Sequence, residues 1–266
     1  MKTVRVESFE QQFEEEETEI YALVKTEVTG SAFYQKDYRR QNVYTYAIMD
    51  AKTHTVDRRE GILTWLISAE GTGPDFKQYG IYRLLVRKAK PVELTPVRRR
   101  SWNNRYLVMK VMMKWKKVPE LEELSAYLKQ PKYLHTAIGE FRLDRTNSQY
   151  HCSLNTVEIV LDVDKDSEES CLVSLSTFQR YENDLPELDQ RLRRFAAEHL
   201  LKKACEWTEK NISEDEFISR IGPALYAFDH QGSFEVYYDD GDLFAGHSII
   251  VDVNKNGVPE HADIAG

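Results

Sequence analysis

The chain has 266 residues, 41% hydrophobic and 11% aromatic, enough for one large core or two of about 130 residues each. Its 36 Lys and Arg against 44 Asp and Glu leave a net charge of −8, which argues against a dedicated nucleic-acid binder but leaves room for a local basic face. Three cysteines (Cys152, Cys171, Cys205) are too few and too spread for a disulfide framework, and the absence of CxxC argues against a cysteine-built zinc site. No signal sequence and no apolar run of about 18 residues is present, so a cytoplasmic, membrane-free protein is expected.

From residue 18 to about 115 the sequence is strand-like. Runs of β-formers at 20–24, 43–48, 62–67, 81–86 and 106–111 are separated by polar or Gly/Pro-containing segments. Five such strands without long helices predict a small barrel or a strongly bent sheet. A helix follows, with Pro119 at its start and Leu121, Leu124 and Leu128 at helical spacing. Residues 130–132 mark a boundary. The fold class expected is α+β: a β-rich N-terminal domain over 1–130, then an α+β domain over 131–266 with an antiparallel sheet and one long helix.

In the second domain, 139–143, 150–154 and 156–162 read as strands and the acidic stretch 162–169 as a solvated loop. The clearest helix spans about 185–210, with Asp184 as a cap, Pro186 in its first turn, and Leu188, Leu192, Phe195, either His199 or Leu200, and Trp207 marking one face. Ser213 and Glu216 form a capping-box pattern that opens a shorter helix, stopped by Gly222-Pro223. Strands close the chain at about 225–229, 233–239, 247–253 and 260–265.

The densest polar region supplies the candidate site residues Asp239, Asp240, Asp242, His247, Asp252, His261 and Asp263. Asp252 opens a D-x-N-x-N-G pattern whose twelfth position is Asp263, as in a calcium loop. That loop type requires a helix leading into it, whereas 248–253 is strand-like, so a β-hairpin turning at Asn256-Gly257 is preferred. In such a hairpin Lys255 pairs with Val258 and Asp252 faces His261. The cluster is compatible with a divalent metal or an acid–base pair, but Asp and Gly shaping a tight turn while His247 satisfies backbone groups is the preferred reading. No metal or other cofactor is assigned.

A second candidate surface is a basic run that includes Arg87, Lys88, Arg98, Arg99, Arg100 and Arg105, interleaved with Tyr82, Trp102, Tyr106 and Trp115. On a barrel, cations with exposed rings suit single-stranded nucleic acid. The competing reading makes the aromatics core and lets the cations offset the acidic N-terminal segment. GxSxG, Walker A, HExxH and GxGxxG are all absent, which removes the commonest hydrolase, nucleotide-binding and oxidoreductase readings; no reaction is named, and the balance leans away from an enzyme without excluding one that lacks a linear motif.

The stretches at 139–144 and 157–164, the long helix, the segment 237–247 with its D-L-F-x-G-H element, and the closing D-I-x-G resemble a bacterial family, domain of unknown function 2262. The resemblance covers about 139–266. The N-terminal half resembles a β-rich module found ahead of such domains. The resemblance implies a bacterial α+β module with an association to toxin-immunity or stress loci, and it carries no catalytic residues. The function expected is a non-catalytic binding protein whose acidic surface meets a protein partner. Nucleic-acid binding through the basic run, or a metal-dependent enzyme built on the C-terminal His/Asp residues, are the alternatives.

Overall fold

The computed structural model describes residues 4–35, 37–93, 103–114, 117–165, 167 and 169–266, which divide into two compact units, Met1–Gln130 and Pro131–Gly266.

The first unit begins with helix α1 (Val4–Glu10) and continues through strands β1 (Phe13–Val24), β2 (Thr29–Gln35), β3 (Tyr38–Asp50), β4 (Val56–Asp57), β5 (Gly61–Ser68), β6 (Ile81–Ala89) and β7 (Arg105–Met113) to helix α2 (Pro119–Lys129). Five strands close a ring in the order β1-β6-β7-β5-β3 and back to β1, with β2 and β4 attached to β3. Of the two shapes the sequence allows, the closed barrel is the one formed, and β5 and β7 are its parallel pair. Alternation along the strands sends Ile20, Ala22, Val43, Leu63, Tyr82, Leu84 and Val86 inward. Phe76, from the β5–β6 connection, joins them with its ring centroid 5.3 Å from Trp65 and 4.8 Å from Tyr82. Helix α2 has Pro119 in its first turn, acids following it and Lys129 at its end, which suits the helix dipole. Its Leu121 is fully buried and covers a second patch made of Leu23, Ala47, Met49 and Ile81.

The second unit holds β8 (Tyr133–His135), β9 (Glu140–Asp144), β10 (Gln149–Leu154), β11 (Val157–Asp162), α3 (Leu172–Gln179), α4 (Leu185–Thr208), α5 (Glu214–Arg220), β12 (Gly222–Phe228), β13 (Phe234–Asp239), β14 (Ser248–Val253) and β15 (Pro259–Ala265). The strands lie in sequence order, β8 to β15, in one sheet. It is antiparallel except for β11 beside β12, which are parallel. A parallel pair needs a crossover, and α3, α4 and α5 all lie within this one. They therefore pack together on one face of the sheet, over Phe141, Ile159, Leu161, Phe228, Val236, Tyr238, Ile249 and Val251.

Helix α4 buries Leu188, Leu192, Ala196, Leu200 and Ala204 and ends on left-handed Glu209. Trp207, expected on that stripe, is 50% exposed and lies edge-on to Phe244 and His247. Ser213 Oγ accepts the Glu216 N–H at 3.2 Å, the cap its sequence pattern announces. The acidic stretch after β11 departs from the expected solvated loop. Asp164 accepts the N–H groups of Leu172 and Val173 at 2.8 and 3.1 Å and so caps α3. Glu169, with a side chain 10% exposed, pairs with Arg145 and Lys132. These acids have structural partners supplied from other parts of the unit.

Candidate functional site

The predicted polar residues separate into two places. Asp239, Asp240, Asp242 and His247 belong to the β13–β14 connection. Asp240 is 4% exposed and accepts the N–H groups of Asp242, Phe244 and Gly246 at 3.2, 2.6 and 3.1 Å. Four residues of this connection, Gly241, Asp242, Ala245 and Gly246, have positive φ, and for Asp242 and Ala245, which are not glycine, that backbone conformation is costly and the carboxylate anchors it. At Gly241, φ +54°, a Cβ would meet the Arg220 carbonyl, which reserves the position for glycine. Asp239 accepts the Gly241 N–H at 2.9 Å, and His247 Nδ1 lies 2.6 Å from the Phe244 carbonyl.

Asp252, His261 and Asp263 belong to the β14–β15 hairpin. The turn differs from the expected one. Asn254 pairs with Val258, Gly257 N–H donates to the Asn254 carbonyl at 2.8 Å, and Gly257 takes φ +79°. Lys255 and Asn256 are thus the central residues, with glycine in the left-handed position that follows. The Asn254 side chain accepts the N–H groups of Asn256 and Val258, so the asparagines of the calcium-loop pattern are used in shaping the turn. A register shift between Asp252 and Val253 restores the pairing Asp252↔His261. Asp263 pairs with Lys203 at 3.6 Å. Among the described residues no three His, Cys, Asp or Glu side chains converge as a metal site.

The sheet face opposite the helices carries a cleft of about 760 Å³. Strand alternation builds it. Phe234, Val236 and Tyr238 point to the helices, so Glu235 and Tyr237 point to the open face, and Asp252 alternates likewise with Val251 and Val253. Cross-strand pairing then lines up His151, Val160, Ala227, Glu235, Asp252 and His261 as one row across the sheet. Leu225 and Tyr237 pair in the row beside it. Among the described residues lining the cleft, Glu158, Asp162, Asp229, Glu235, Asp252 and Glu260 are acidic, and Lys255 is the one permanent cation.

Most of these acids have hydrogen-bond partners. Glu158 holds His151 Nδ1 at 2.6 Å, Asp162 accepts from Gln149 at 2.9 Å, Glu260 accepts from Asn254 at 2.6 Å, and Glu235 accepts the Tyr237 hydroxyl at 2.6 Å. The last bond, with burial, pushes the Tyr237 phenol up to about 12. Asp252 accepts no hydrogen bond among the described residues and stands directly opposite Glu235. Burial, then the Glu235 charge, raises its carboxyl above the ordinary carboxylate range, against the pull of His261.

The raised value is a stability statement. Between the unfolded and folded values the native state holds more proton, so stability falls as pH rises through this window. Asp252→Asn is expected to stabilise the protein at neutral pH by about 0.5 kcal/mol, the scale of relieving directly opposed like charges. The gain should vanish once pH drops below the ordinary carboxylate range. Thermal melts of both proteins across pH check this, and a gain that persists in acid would contradict it.

Of the basic run, Arg98, Arg99 and Arg100 lie outside the described residues. The described arginines of the run are engaged within the barrel. Arg105 is 8% exposed, donates to Gln12 Oε1 at 2.9 Å and lies 5.0 Å from the Phe13 ring centre; burial lowers its guanidinium's value. Arg87 faces Glu17 across β1 and β6 with a 3.8 Å ion pair, and Arg83 donates to Glu19 at 2.5 Å. Lys88 is exposed on β6. The acidic segment of β1 and the basic segment of β6 are adjacent strands that neutralise one another.

Sequence reasoning reached Asp252 but missed Glu235, Tyr237, His151 and Glu158 as its neighbours on the cleft. The available signal was the two-residue alternation of 234–239, which already assigns Glu235 and Tyr237 to the face opposite the core.

A small closed barrel followed by an eight-stranded sheet covered by helices on one face defines the class: a two-unit α+β protein with an open acidic sheet face. Residues 135–264 match the family described as an uncharacterized protein conserved in bacteria, DUF2262, and residues 5–128 match a domain of unknown function, DUF7021. No curated protein and no solved structure matches the chain. No helix among the described residues is long and apolar enough to cross a membrane.

Proposed function

We propose that the protein is a non-catalytic binding protein that docks a cationic protein partner on the open face of its C-terminal sheet. One observation carries the reading: a cleft with an apolar floor of Val160, Leu225 and Ala227 and an acidic wall that Lys255 alone offsets among the described residues. Apolar surface supplies affinity there, and the acidic wall supplies steering and partner choice. An immunity-type role, in which an acidic protein covers a basic partner, is the specific form we propose.

The test is calorimetric titration of the full chain with a ten-residue lysine peptide at low and at physiological salt. Wild type is compared with two charge reversals of equal size. Glu235→Lys with Asp252→Lys alters the cleft, whereas Glu198→Lys with Glu206→Lys alters exposed positions on α4. Saturable binding that weakens with salt and disappears only in the cleft variant is expected. Equal binding by both variants, or none by wild type, would sink the reading.

A further inference from the structure

Resting on that reading of the cleft, we infer that its recognition element is an arginine side chain of the partner, whose guanidinium is held between Glu235 and Asp252. The two residues are direct register partners on antiparallel strands of the open face. Opposed side chains of this kind have Cβ atoms about 5 Å apart. Two carboxylates at that spacing, with no Lys or Arg of the chain paired to either among the described residues and with His261 as the other register partner of Asp252, match one planar group with donors on several edges.

Three further features favour guanidinium over ammonium. The Tyr237 hydroxyl holds Glu235 Oε2 at 2.6 Å and so fixes that carboxylate's orientation, which rewards a donor of rigid geometry. Tyr237 lies on the same face two residues along, and guanidinium stacks on aromatic faces better than ammonium does. The floor beside the pair, Ala227 next to Glu235 and Leu225 next to Tyr237, is apolar, and it takes the methylene stem while disfavouring a strongly hydrated ammonium. Asp252 supplies the open acceptor: alone among Glu158, Asp162, Glu235, Glu260 and itself, it accepts no hydrogen bond among the described residues.

The experiment is an NMR titration of the full chain with two blocked five-residue peptides, one with a central arginine among alanines and one with lysine in its place. The arginine peptide is expected to bind at least about tenfold more tightly, as charge-assisted bidentate bonds allow, with shifts on β13 and β14. Asp252→Asn and Glu235→Gln should each collapse that ratio, while Tyr237→Phe, which keeps the ring and frees Glu235, should reduce it partly. Equal affinity for the two peptides overturns the inference, as does an arginine preference that survives Asp252→Asn. If the lysine decapeptide binds the cleft and neither short peptide does, the inference falls while the proposed function stands. If nothing cationic binds, both fall.

Discussion

Replacing Asp240 by alanine is expected to destabilise the C-terminal unit by about 3 kcal/mol, since it strips the acceptor from N–H groups of a buried loop. The carboxylate holds three of them, on Asp242, Phe244 and Gly246. The loop also carries Phe244, wholly buried and packed against Phe217 and Trp207, so its loosening reaches the core. A drop of roughly 10 °C in melting temperature should follow for a unit of this size. Asp240→Asn keeps one acceptor oxygen and should lose less. Were Asp240 a binding residue and not a loop anchor, the alanine variant would melt like wild type and fail only in the peptide titration. That outcome would reverse its assignment.

The second large effect is expected at Phe178. Phe178→Ala should cost about 3–5 kcal/mol, the range for a large buried aromatic whose cavity cannot collapse. Its ring is wholly buried, edge-on to Phe141 at 5.7 Å and to Phe228 at 5.5 Å, and so links α3 to β9 and β12. Phe178→Leu refills most of the volume and should recover more than half of the loss. Denaturant unfolding followed by calorimetry and tyrosine fluorescence gives both values. A cost below about 1 kcal/mol for the alanine variant would mean that α3 is not a fixed part of the core.

Both residues show where sequence reading reached its limit. Phe178 sits in a helix that the sequence did not announce. The segment Leu172–Gln179 lacks an amphipathic pattern and is rich in Ser and Thr, which favour caps and turns. Its cap comes from Asp164, eight residues before Leu172, and Ser174 is tied to the Asp162 carbonyl at 2.7 Å. The helix is made by tertiary contacts. Asp240 was legible as a noteworthy carboxylate, but a turn anchor and a ligand-binding acid have the same local sequence. Only the burial and the three donors distinguish them.

The sequence by itself determined the strands of the barrel, the long helix, the capping box at Ser213 and the change of character near residue 130. Each follows from local periodicity or from a residue whose backbone preference acts within a few positions. Barrel closure, the parallel pairing of β11 with β12 and the one-sided placement of the helices were decided by the tertiary structure, because each depends on contacts between residues far apart in the chain. The same holds for the cleft. Asp252 was visible as one side of a hairpin, yet its partner Glu235 lies seventeen positions earlier, on the far side of the Asp240 loop. What turns Asp252 from a hairpin residue into part of an acidic cleft is strand register, which no local pattern encodes.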